Sequence, residues 1–210
     1  MSTIWTDGQL YRQWAYPKEA DLESAILKVQ SDLFGPGRIY LPVKRVIGGK
    51  SSPKNIPDAY LIDLAGRRPR LYVVENELAT HDLLRHIAVQ VLEFSLSFTS
   101  DAVGVKSILY NSLKERPMLL AQCEAYAKGH EFRNLDHLLE YLVFDCPFAA
   151  LVIIDQMPEK LEEVLATKFQ FGVEVLELTC YGNQSGEQIY RFSPFLADVA
   201  QDVPSVATSE

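Results

Sequence analysis

The chain has 210 residues, 48% of them hydrophobic and 23% charged, with a formal net charge of −8 at pH 7. That composition excludes a disordered or fibrous protein and supplies enough apolar side chains for one sizeable core. No apolar run approaches the length of a membrane span, and the N-terminal "MSTIWTDGQLYRQW" lacks the basic-then-apolar pattern of a secretory leader, so a cytoplasmic protein is expected.

Pro17 opens a predicted helix from about Lys18 to Phe34, with Leu22, Ile26, Val29 and Leu33 at helical spacing and Gly35-Pro36-Gly37 as its stop. Arg38 to Val46 alternates like a strand, and "GGKSSPKN" (48–55) is a basic loop. "IPDAYLIDL" (56–64) and "RLYVVENEL" (70–78) are predicted strands joined by the turn "AGRRP", and so form a hairpin. A long helix is expected over 80–98, a strand over 102–110, and two helices over 115–128 and 134–144. "FAALVIIDQM" (148–157) is continuously aliphatic, as a strand buried on both faces should be. A helix over 158–169, a strand over 173–181, a turn at 182–186 and a last strand in "EQIYRFSPF" complete the pattern. The polar segment 197–210 is expected to be a flexible tail, leaving residues 1–196 as one domain of α/β class around a mixed sheet.

Charge is unevenly spread. Residues 38–85 carry nine basic and five acidic side chains, whereas residues 86–210 carry eight basic and eighteen acidic ones. The basic block includes Lys44, Arg45, Lys50, Lys54, Arg67, Arg68 and Arg85, a local footprint suited to phosphate. The plainer alternative is a solvated surface of mixed charge. Cys123, Cys146 and Cys180 are few and widely spaced, and are expected to be reduced thiols with no zinc site.

The chemistry concentrates in the hairpin. Glu75 and Glu77 are two apart on one strand and share a face. With Gly66 and Arg67 at the turn centre, Asp58 faces Glu75; with a loop centred one residue on, it faces Glu77. The intermediate register sets Asp58 opposite Asn76 and breaks the cluster. In the first two registers three carboxylates lie on one face, about 5 Å apart across the strands. Such a set needs either raised pKa values or a cation. Mg²⁺ or Mn²⁺ would suit Asp58, Glu75 and the backbone carbonyl of Asn76. A solvated strand face is the alternative, and the apolar neighbours Leu71 to Val74 argue against it.

"PDAYLID" (57–63) followed by "YVVENEL" (72–78) resembles the core of the PD-(D/E)xK, or restriction-endonuclease-like, nuclease superfamily. The resemblance covers residues 18–110. It implies a mixed central sheet flanked by helices, here with a C-terminal βαββ extension, and metal-dependent hydrolysis of phosphodiester bonds, with DNA the expected substrate. On the matching positions it implies that Asp58 and Glu75 hold the metal, that Glu23 on the first helix adds an acid, and that Gln90, four residues before Phe94, supports the site. One position departs from the pattern: the superfamily lysine is replaced by Glu77. Glu77 is then a general base, a second-metal ligand, or the mark of an inactive copy that serves as a DNA-binding or protein-interaction module. Lys44, Lys54 or His81 would supply the missing positive charge. His81 and Arg85 are candidates for phosphate, and His86 lies either on a polar rim or on a polar helix seam. The acidic C-terminal half is expected to serve a homodimer or a protein partner, with no membrane role.

Overall fold

A computed structural model describes residues 2–49, 53–66, 68–79, 83–157 and 169–196. Among these, nine strands form two sheets and five helices flank them. No helix among the described residues is long and apolar enough to cross a membrane. The segments 158–168 and 197–210, predicted as a helix and a tail, lie outside the described residues.

The chain opens with a hairpin, β1 (Thr3–Thr6) and β2 (Gln9–Trp14). Its two turn residues, Asp7 and Gly8, both have positive φ, 50° and 73°, as a two-residue hairpin turn requires. Helix α1 (Glu19–Phe34) buries Leu22, Ala25, Ile26 and Leu33 along one face, and Gly35 at φ 71° ends it by donating its N–H to Ser31. Strands β3 (Arg38–Pro42), β4 (Ala59–Asp63) and β5 (Arg70–Glu77) follow as an antiparallel meander.

Four helices then intervene: α2 (Leu83–Ser100), α3 (Ala102–Lys114), α4 (Pro117–Gly129) and α5 (Leu135–Glu140), the last running into a π-helical turn, Tyr141–Asp145. Residues 102–110, predicted as a strand, are therefore helical. Val105, Leu109 and Leu113 recur every four residues and are all buried, so the stretch meets the core with helical and not with strand period. Asp101 holds the helix start through its carbonyl, which accepts from Val105 N.

Strand β6 (Ala149–Ile154) returns parallel to β5, and β7 (Gly172–Glu177) lies parallel to β6, giving the five-stranded order β3-β4-β5-β6-β7. β6 is wholly aliphatic because both its faces are covered. Ala149, Leu151 and Ile153 pack on the α1 side, and Ala150, Val152 and Ile154 pack against Ile87 and Val91 of α2. The predicted single strand over 173–181 is broken at Leu178, whose N–H bonds to Ile154 O. Beyond it, β8 (Thr179–Gly182) and β9 (Gln188–Arg191) join β1 and β2 in a separate antiparallel sheet, β1-β2-β8-β9. The C-terminal strands are thus not an appended unit: two complete the central sheet, and β8, with β9 beyond it, extends the N-terminal hairpin. All three cysteines are free.

Candidate active site

The site lies at the C-terminal end of β5, where β4 has not yet begun and α2 crosses above. Ala59 pairs with Val74, the register that places Asp58 next to Glu75. The strand start is irregular, however: Asp58 N–H donates to Val74 O at 3.2 Å. Asp58 and Ala59 therefore both sit against Val74, two residues against one as in a bulge. The Asp58 carboxylate turns back into the strand end, where Oδ2 accepts from Asn76 N at 2.9 Å.

The expected single face of three carboxylates is consequently divided by β5. On the α1 side, Asp58 lines a cavity of about 230 Å³ with Glu23, Tyr40, Lys44 and Asn76. Lys44 Nζ lies 2.6 Å from Glu23 Oε1 and 2.9 Å from Asp58 Oδ1. Burial works against the Lys44 charge, but its two acidic partners outweigh that and hold its pKa above the ordinary lysine range. Asn76 Nδ2 donates to Tyr40 OH, and burial pushes the Tyr40 phenol up to about 12.

On the α2 side, Glu75 and Glu77 share a face, as strand parity requires, and both are buried. Gln90 Nε2 donates to Glu75 Oε1 at 2.8 Å, and His86 Nδ1 lies 3.0 Å from Glu77 Oε2. His86 and Gln90 are one helical turn apart, which matches the spacing of two carboxylates on alternate strand positions. Burial above all, then the charges of Asp58 and Glu77, push the Glu75 carboxyl up to about 9. Burial also raises Glu77, while His86 opposes the rise. Glu75 Oε2 is buried and has no hydrogen-bond partner among the described residues.

Among the described residues, no three His, Cys, Asp or Glu side chains stand close enough together to hold a metal ion. A smaller set has the donor types of a hard-cation site, which commonly takes one or two carboxylates with water. It consists of the unpartnered Glu75 Oε2, the nearby Asp58 carboxylate, and the Asn76 carbonyl. In a strand the N–H and C=O of one residue point to the same edge. Asn76 N reaches Asp58, so its carbonyl also faces the gap beyond β4.

The predicted basic residues fall in different places. Lys44 and Arg45 lie beside the site. Lys54 is exposed on the loop whose next residue, Asn55, bridges to Ile47. Arg68 is exposed at the hairpin turn, seven residues before Glu75 and about 20 Å from it along an extended strand. Arg85 is in the first turn of α2, its side chain outside the described set, and Lys50, Arg67 and His81 are outside the described residues. Tyr40 was not foreseen as part of the site, although its place two residues from Pro42 on the strand leading to Lys44 was a usable signal. No family model matches the chain, and neither a curated protein nor a solved structure does.

Proposed function

We propose that this protein is a metal-dependent nuclease that hydrolyses phosphodiester bonds, with DNA as its substrate, built on a restriction-endonuclease-like core. The order α1, β3-β4-β5 meander, α2, parallel β6 supports that core. The observation that carries the reading is Glu75, a buried carboxyl beside two further acids with one oxygen unpartnered among the described residues. In the absence of a cation such a group stays protonated at neutral pH; with one it has a reason to be where it is.

Glu75, Asp58 and the Asn76 carbonyl would hold Mg²⁺ or Mn²⁺, which when bound supplies Lewis acidity and a more acidic water. Gln90 fixes the Glu75 carboxyl by donating to Oε1, which leaves Oε2 as the oxygen for the ion. Glu77 has a raised affinity for protons, which suits a general base working near neutral pH. His86, with its side chain 59% exposed, passes the proton between Glu77 and solvent. Lys44 takes the place of the absent motif lysine: released from Glu23, its ammonium faces the phosphate that enters beside Asp58.

The test is cleavage of supercoiled, linear and single-stranded DNA by the purified protein with Mg²⁺ or Mn²⁺, alongside Asp58→Ala and Glu75→Ala. Metal-dependent cleavage lost in both variants is expected; a wild type that cleaves none of these substrates overturns the enzyme reading. A second reading draws on the Lys44 bridge, which neutralises Glu23 and Asp58 internally. There the protein is a catalytically silent nuclease-like module that binds nucleic acid or a protein partner. Calorimetric titration with divalent metal separates the two, since the silent module binds none at millimolar concentration.

A further inference from the structure

A larger cleft adjoins the carboxylate cavity. It has a volume of about 650 Å³ and lies between the end of β3 and the turn that joins α3 to α4. Lys44 and Arg45 form one wall, and Lys114 and Arg116 the other, with Glu115 the one acid among the lining residues. The two walls are some seventy residues apart in the chain, and Lys114 and Arg116 belong to the half whose overall charge is strongly negative. The cleft shares Pro42 and Lys44 with the smaller cavity that contains Glu23 and Asp58. An occupant of the large cleft therefore continues directly into the carboxylate site.

We infer that this cleft is the binding track for the phosphodiester backbone of the nucleic acid, with Arg45 and Lys114 as its principal phosphate contacts. The inference rests on the nuclease reading and extends it to substrate residues that the hairpin motif does not contain. Arg45 and Lys114 are both exposed, and no carboxylate among the described residues forms an ion pair with either. The Lys114 ammonium sits over the Tyr110 ring, 5.5 Å from its centroid, a contact that restrains the side chain while leaving its charge unneutralised. Arg116 is anchored through Nη1 to Ser112 O at 2.9 Å, with Glu115 Oε2 4.0 Å from the same nitrogen, so its guanidinium stands at the cleft in a set orientation. With Lys44 already bridged to Glu23 and Asp58, three further cations stand against Glu115 in a cavity roomier than a single phosphate ion needs, which matches a chain of evenly spaced negative charges. Arg68 at the far hairpin turn takes no part.

The experiment is fluorescence anisotropy of labelled duplex DNA, single-stranded DNA and RNA in EDTA across a salt series, which keeps binding apart from hydrolysis. Wild type is compared with Arg45→Gln, Lys114→Gln and Arg68→Gln, each checked for an unchanged melting temperature. Arg45→Gln and Lys114→Gln should each lower the slope of log K against log salt by about one, a loss of roughly eightfold in affinity at 0.1 M salt. Arg68→Gln should leave slope and affinity unchanged. Equal binding by wild type and the two cleft variants overturns the track while leaving metal-dependent cleavage, tested separately, untouched. An equal loss in Arg68→Gln, or no binding of any nucleic acid by wild type, overturns it as well.

Discussion

Replacing Glu75 by glutamine should make the protein more stable at neutral pH, and by an amount that grows with pH. The Glu75 carboxyl titrates at about 9 in the folded state against 4.5 for an ordinary glutamate. The folded chain therefore keeps a proton that the unfolded chain has released over that window. A group whose folded pKa is raised contributes its stability fully below the unfolded value and loses it as pH rises through the folded one. At pH 7 the loss is about 3 kcal/mol, from a gap of 2.5 pH units at 1.36 kcal/mol each. Glutamine keeps the shape, can still accept from Gln90, and never ionises. Urea unfolding in EDTA at intervals from pH 5 to pH 9 should show a difference between variant and wild type that starts below 1 kcal/mol and widens by about 1.4 kcal/mol per pH unit. At pH 7 this corresponds to roughly 6–12 °C in melting temperature for a chain of this size. Parallel stability curves across the whole range would refute the burial of an unpaired carboxyl at this position. The same proton offers a second readout: a divalent ion that binds Glu75 at pH 7 must displace it, so the heat of binding should vary with the ionisation enthalpy of the buffer.

In His86→Ala, Glu77 loses the group that opposes the rise in its pKa, and its carboxyl resonance in carbon-detected NMR should titrate at higher pH; an unmoved midpoint would show that the 3.0 Å contact carries no coupling. Val103 is 69% exposed while Val105 is fully buried, so Val103→Asp should change stability by no more than about 0.5 kcal/mol and Val105→Asp should abolish cooperative unfolding. A strand over 102–110 would bury both alike, and equal effects would restore that assignment. Gly48 has φ 110° and a side chain there would collide with the Pro53 carbonyl, so Gly48→Ala should cost about 1–3 kcal/mol in denaturant titration, with hydrogen exchange rising in the loop between β3 and β4.

The pairing of Glu75 and Glu77 on one face was legible because strand parity depends on nothing but spacing. The hairpin register was narrowed to a few alternatives by the turn near Gly66, and the pairing of Ala59 with Val74 selects the one centred on Gly66 and Arg67. Gln90 and His86 were legible as a helical pair, though not which carboxylate each would meet. What escaped was decided by contacts distant in the chain. Residues 102–110 carry β-branched and apolar side chains that serve either period, and burial of Val105, Leu109 and Leu113 against one core selected the helix. Asp58 left the shared face because of a backbone irregularity at the first residue of β4, which no side-chain pattern announces. Lys44 could be named as a spare cation, but its bridge from Glu23 to Asp58 joins a helix, a strand end and a hairpin. The break at Leu178 similarly reflects a carbonyl waiting on β6. The first hairpin is a different case. "TDGQ" is a direct turn signal flanked by pairable residues, and β1 and β2 could have been assigned from it.

The parallel pairing of β5 with β6 also sets a schedule. β5 finds β4 across a short turn, but its other neighbour is made only after the whole run of helices, from residue 78 to residue 148. During synthesis the meander and α1 can assemble while that edge is still open to water. Ile87 and Val91 of α2 have no seat until Ala150, Val152 and Ile154 arrive, so Gln90 and His86 cannot yet be delivered to the two glutamates. A nascent chain that ends before β6 would carry Glu75 and Glu77 as ordinary solvated acids. The environment of the two glutamates is thus completed only when β6 is added, and the titration of one buried carboxyl serves as a clock for that step of folding.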